Sequence, residues 1–212
     1  MRRRIGELEI HALDGGLVLE TAGRTLIIDA PVGSVNAVHA SAIVFTSGRA
    51  RALAGLWSLL ASAERRLLPE PLVVWSALDE PRPMLIVEAW VRGNGEPCPL
   101  VLDSDGPGAT VDLPPWRIVT AALAGVEPRG REGAPARIPV VGLRIEVGGV
   151  AVAYIPAAAP TAAARRLCAG ADLAILEVPS ASWPGAPVGD PAELAAVAKD
   201  AWWLAEGGQP EG

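Results

Sequence analysis

Histidine, cysteine, serine and paired acids are the side chains from which most hydrolytic chemistry is built, and this chain places them sparsely. It contains two histidines, His11 and His39. Neither stands in a ligand-spaced cluster, and two are too few for an ordinary dinuclear metal site. Asp103-Ser104-Asp105-Gly106 begins like a calcium loop, but the later ligands and the closing Glu are missing, so a plain turn is expected. Cys98 and Cys168 lie far apart and in no CxxC pair, which makes two unpaired, reduced thiols the expectation. Cys168 falls in a helical stretch without a nearby His and reads as a small packed residue rather than a nucleophile. Ser34 and Ser47 lack a G-x-S-x-G context, and no glycine-rich stretch has P-loop or G-x-G-x-x-G spacing.

The elements that must carry these residues are readable in the pattern of apolar positions. Glu7 to Leu13 alternates polar and apolar residues as a half-buried strand does. Asp14-Gly15-Gly16 turns it into a strand from Leu17, and Ala22-Gly23-Arg24 turns that into Thr25 to Ala30. Ala42 to Thr46 is a short apolar run of the buried parallel kind. The period then changes: Leu53, Leu56, Leu59 and Leu60 share a helical face that ends near Arg65-Arg66. Pro71 to Trp75 and Met84 to Val91 read as strands, the second turning at Gly93-Asn94-Gly95 into Pro99 to Leu102. Gly125 to Pro139 reads as a loop. Val140 to Glu146 and Val150 to Ile155 form a hairpin about Gly148-Gly149. Pro160 to Ala169 reads as a helix closed by Gly170, Leu173 to Glu177 as a buried strand, and Asp190 to Ala205 as a last helix. The order predicts one layered α/β or α+β domain over 1–212, with helices packed on sheet faces.

Two stretches of this pattern resemble the metallo-β-lactamase superfamily. Leu26-Ile27-Ile28-Asp29-Ala30 looks like its LIDAG-type strand end. Thr46-Ser47-Gly48-Arg49-Ala50-Arg51-Ala52-Leu53-Ala54-Gly55-Leu56 matches the frame of T-H-x-H-x-D-H-x-x-G-L at Thr46 and Gly55-Leu56. The four ligand positions of that motif carry Ser47, Arg49, Arg51 and Ala52. A zinc or iron ion needs neutral imidazoles and carboxylates there, and guanidiniums repel a divalent cation. Ile138 to Glu177 is similar to the branch that includes ribonuclease Z and PQQ-biosynthesis protein B. Ala153-Tyr154-Ile155-Pro156-Ala157 puts Ala157 where that branch has a bridging aspartate, and Gly170-Ala171-Asp172 to Glu177 follows its G-A-D-x-x-I-x-E element. The family histidine before the hairpin falls near Ala136, Ser182-Trp183-Pro184 is similar to a Trp-containing loop, and the closing strand with its terminal His has no match.

The resemblance implies an αββα sandwich, compact and shortened at its C-terminal side, whose old pocket is lined by Asp29, His39, Ser47, Arg49 and Arg51. No catalytic residue, metal or cofactor is assigned. The expected function is binding, to another protein or to a second copy of the chain, with a small anion at Arg49 and Arg51 as the lesser expectation. Solvated arginines, or arginines that pair with Asp29 in place of a metal, are the simpler account of those two. The alternatives are a divergent phosphodiester or thioester hydrolase with a relocated metal site from Asp29, His39, Asp103 or Asp105, and a structural subunit of a complex. Composition narrows the partners. Of 212 residues half are apolar and the net charge is −6, with no basic stripe, so nucleic acid is not expected. No signal peptide or membrane span is read, and a cytoplasmic protein is expected. Seven tryptophans against one Phe and one Tyr are unusual, and the Trp202-Trp203 pair is a candidate interface anchor.

Overall fold

The computed structural model describes residues 2–34, 40–48, 50–65, 72–78, 82–94, 100–127, 136–156, 160–178, 190 and 192–205. Its contacts divide into two units, Met1–Gly106 and Pro107–Gly212. The first carries a seven-stranded sheet whose spatial order follows the chain. Strands β1 (Arg2–Ile5), β2 (Leu8–Leu13), β3 (Gly16–Thr21) and β4 (Arg24–Ile28) form an antiparallel meander. From β4 onward the sheet is parallel: β5 (Ala40–Phe45), β6 (Leu72–Ser76) and β7 (Leu100–Ser104) add in turn.

Parallel neighbours need crossover connections, and helices supply them. Between β5 and β6 run α1 (Ala50–Leu53) and α2 (Leu56–Arg65); between β6 and β7 runs α3 (Arg82–Asn94). Leu56, Leu59 and Leu60 of α2 and Val87 and Trp90 of α3 bury themselves on Val18, Ile27, Ile43, Phe45, Leu72 and Val74 of the sheet. Thus α3 corrects the expected strand at Met84 to Val91, and the expected hairpin at Gly93-Asn94-Gly95 is replaced by a parallel β6–β7 pair. Met84-Leu85-Ile86-Val87 looks like a strand because four apolar residues run together. Burial at Val87 and Trp90, with Leu85 exposed, shows the three-residue spacing that decides for helix.

The second unit is a six-stranded mixed sheet in the order β13-β12-β11-β10-β9-β8. Strands β8 (Thr110–Leu113), β9 (Trp116–Glu127), β10 (Ala136–Val147) and β11 (Val150–Ile155) are antiparallel; β12 (Leu173–Val178) and β13 (Ala201–Ala205) add in parallel. The expected loop from Gly125 to Pro139 is corrected at both ends, since β9 continues to Glu127 and β10 starts at Ala136; residues 128–135 lie outside the described residues. Helix α4 (Ala162–Cys168) is capped by Thr161, whose hydroxyl accepts from the Ala164 N–H, and Gly170 follows at φ 64°. Together with Leu194 of α5 (Ala192–Ala195), Ala164, Leu167 and Cys168 pack on Leu123, Ala153, Ile155, Ala174 and Leu176.

The expected final helix from Asp190 to Ala205 is corrected to one turn, α5, followed by β13. Alanine-rich composition favoured helix, but Ala201–Ala205 finds a full parallel partner in β12, and tertiary pairing overrides propensity. Trp202 and Trp203 therefore point to opposite faces of a strand. Trp202 is buried, and Trp203 packs partly against the α4 core.

Candidate functional site

In open α/β sheets the loops beyond the carboxyl ends of parallel strands are where ligands are bound, and here those ends gather the motif residues. Asp29 follows β4 with φ 57°, the left-handed region that a side chain other than Gly, Asn or Asp rarely adopts. The turn aims its carboxylate at the end of the next strand. Oδ1 accepts the Thr46 N–H at 2.8 Å and Oδ2 accepts the Thr46 hydroxyl at 2.7 Å. The Asp29 N–H in turn donates to the Val44 carbonyl. Asp29, Thr46 and Ser47 are all buried.

The frame continues into the helix. The Ala30 N–H donates to the Ala52 carbonyl and the Gly55 N–H to the Ala30 carbonyl at 2.7 Å, tying the loop after β4 to α1. Gly55 permits this contact, since a Cβ there would lie 2.1 Å from the Pro31 carbonyl oxygen. The Ser34 hydroxyl donates to that same carbonyl. Thr46 is thus held by the Asp29 carboxylate and Gly55 by the close approach of Pro31, while Leu56 packs in the apolar core.

Of the expected pocket residues, the structure brings Asp29 and Ser47 to this corner. Arg51 lies on α1 beside them, its side chain not described; His39 and Arg49 lie outside the described residues, as do Ala157 and the Ser182-Trp183-Pro184 stretch. A metal does not fit the donor set at the motif positions. Ala52 has no donor atom, and the arginines at 49 and 51 are cations that cannot ligate a divalent ion. Asp103 and Asp105 are exposed, and among the described residues neither joins Asp29 in a three-ligand group.

Side-chain hydrogen bonds also tie the second motif region together. The Tyr154 hydroxyl donates to Glu177 Oε1 at 2.8 Å across the β11–β12 pair. Asp172 Oδ2 accepts the Ala151 N–H at 2.8 Å, while Lys199 Nζ donates to Oδ1 at 2.7 Å. Lys199 foremost, and then the Ala151 N–H, hold the Asp172 carboxyl below the usual carboxylate range. Cys168 is buried, and burial pushes its thiol up to about 11 although Arg144 opposes the shift. A thiol protonated to that degree is not a nucleophile at neutral pH.

Sequence reasoning missed one constellation. On β2 and β3, Glu9, His11 and Glu20 each offer a ligand atom, all within 4.8 Å of one another; among the described residues they form the one such group. The signal was present: Glu9 and His11 are alternate residues of a strand, and the turn at Asp14-Gly15 sets Glu20 opposite Glu9.

Comparison with known proteins agrees with the fold. No protein-family model matches the sequence, and no curated protein matches it. Solved structures do. The chain superposes on human tRNase Z, short form, with TM-score 0.67 and 15% identity over 91% of this chain and 85% of that one. On the metallo-β-lactamase fold protein YhfI from Bacillus subtilis the TM-score is 0.64 and the identity 15%, over 92% and 78%. On zinc-bound PqqB from Methylobacterium extorquens the values are 0.58 and 21%, over 76% of this chain and 58% of that one. The chain has an α/β metallo-β-lactamase-like fold. Proteins that share this fold include hydrolases, among them tRNase Z and a diphosphatase of the PhnP family. Among the described residues no helix is long and apolar enough to cross a membrane.

Proposed function

We propose that this chain is a single metallo-β-lactamase-type domain that has given up metallohydrolase chemistry and acts by binding. The observation that carries this reading is the strand-end corner. Asp29 holds Thr46 at the strand end, and the ligand positions of the motif that follows in the sequence bear Ser47, Arg49, Arg51 and Ala52. The partner is a second copy of the chain or another protein. The exposed indole of Trp57 on α2, 53% accessible, supports an apolar contact. A small anion held by Arg49 and Arg51 is the subordinate part of the proposal, and a cytoplasmic setting fits the unpaired Cys168.

The test is turnover of a phosphodiester and a thioester by tag-free protein in zinc, manganese or ferrous iron. No rate above the metal-only blank is expected. Chelator-sensitive turnover that survives removal of the Glu9, His11 and Glu20 side chains overturns the reading and installs a hydrolase with a relocated site. Light scattering checks assembly: dimers that Trp57→Ala dissociates support self-association. Phosphate titration of an Arg49→Ala, Arg51→Ala double variant checks the anion, and binding equal to that of the parent removes that part.

A further inference from the structure

A histidine nitrogen with no partner points to a second, unrelated site. Nε2 of His11 is buried and makes no hydrogen bond, although two carboxylates face it. Glu20 Oε2 lies 3.6 Å away and Glu9 Oε1 4.0 Å away. An imidazolium carries one proton on Nε2 and at these distances bonds it to neither oxygen. The spacing suits a shared cation better. Ligands around a tetrahedral zinc, with bonds of roughly 2.0–2.2 Å, sit about 3.3–3.6 Å apart, so drawing together these three side chains, whose ligand atoms all lie within 4.8 Å of one another, supplies three of the four positions.

We propose that Glu9, His11 and Glu20 form a zinc site on the exposed face of the β2–β3 hairpin. One imidazole and two carboxylates suit zinc or a neighbouring late transition ion, whereas Mg²⁺ and Ca²⁺ take oxygen alone. Two rigid strands supply the ligands. Glu9 and His11 are alternate residues of β2, Glu20 pairs with Glu9 in register, and β-sheet hydrogen bonds hold the three backbones in place. The side chains of Glu9, His11 and Glu20 are 28%, 29% and 42% exposed, so a fourth coordination position opens to solvent. Arg2 donates to the same Glu9 oxygen, and that contact leads the influences holding the Glu9 carboxyl below its usual range. A zinc ion there shares the Glu9 oxygen with the guanidinium or displaces it. Glu9 and Glu20 also line an open depression of about 370 Å³ together with Glu7, Arg4 and Arg24.

Calorimetric titration of zinc into chelator-stripped, tag-free full chain tests this, with imidazole nitrogen NMR on the same samples. One equivalent is expected to bind. His11→Ala and Glu20→Gln should each weaken binding at least about 100-fold, with far-ultraviolet dichroism retained. Because the chain has two histidines, the NMR assignment is direct: the Nε2 resonance of His11 should move and those of His39 should not. If His11→Ala fails to fold, Glu20→Gln and the NMR of the parent still decide. No binding at millimolar zinc, affinity unchanged in Glu20→Gln, or a shift of His39 alone overturns the site. These outcomes leave the binding role untouched, because that role is read from turnover and assembly.

Discussion

Two corners of the first unit hold acidic side chains and differ in how those side chains are satisfied. At the Asp29 corner the carboxylate is almost completely buried, and each oxygen receives a donor from Thr46 at 2.7–2.8 Å. At the His11 corner Nε2 stands 3.6 Å from Glu20 and 4.0 Å from Glu9, the three side chains are partly open to water, and Nε2 makes no hydrogen bond. A buried charge is retained when hydrogen bonds replace its lost hydration. The first corner therefore contributes to folding. The second contributes little to folding and is free to do something else.

The largest expected effect breaks the first corner. Asp29→Ala strands the buried Thr46 N–H and hydroxyl and places Ala at a positive φ, which should cost about 3–5 kcal/mol in urea unfolding. Asp29→Asn keeps one acceptor and tolerates the backbone, and should cost about 1–2 kcal/mol. A neutral Asp29→Ala would erase the contrast. Gly55→Ala comes next, at about 2–3 kcal/mol by the same measurement, because its Cβ would collide with backbone rather than with a movable side chain. At the other corner, metal-free His11→Ala should change stability by no more than about 0.5 kcal/mol. A loss several times larger would show that His11 is a packing residue. The smallest effect sharpens the comparison from the second unit. The Asp172 carboxyl is depressed by Lys199, so its contribution is complete above the ordinary carboxylate value and drains away as pH falls through the lower folded value. Lys199→Ala should remove under about 1 kcal/mol at neutral pH and flatten that part of the acid profile.

The same contrast explains what was legible in the sequence. Strand β2 announces itself by alternation, β3 and β4 by the turns at Asp14-Gly15 and Ala22-Gly23, and β5 by its short apolar run. The Asp29 and Thr46-to-Leu56 motifs were legible too, because backbone contacts such as Gly55 on Pro31 restrict which residues can stand there. What failed was local pattern judged without partners. Met84 to Val91 carries consecutive apolar residues that suit either a strand or a helix, and the need to cross between parallel β6 and β7 decides. Ala201 to Ala205 has helical composition, yet an open edge on β12 claims it. The Glu9, His11 and Glu20 cluster failed for another reason: its members are ordinary polar residues until register sets Glu20 opposite Glu9.

The tryptophans carry a practical consequence. Trp75 of β6 and Trp116 of β9 are buried, each with an indole N–H that has no hydrogen-bond partner, and they belong to different units. An indole shielded from water and without an acceptor fluoresces at short wavelength, and its emission moves to the red once its surroundings open. Variants that keep Trp75 or Trp116 as the sole emitter would therefore give each unit its own optical clock, and the two traces together would tell whether the units melt as one or in sequence.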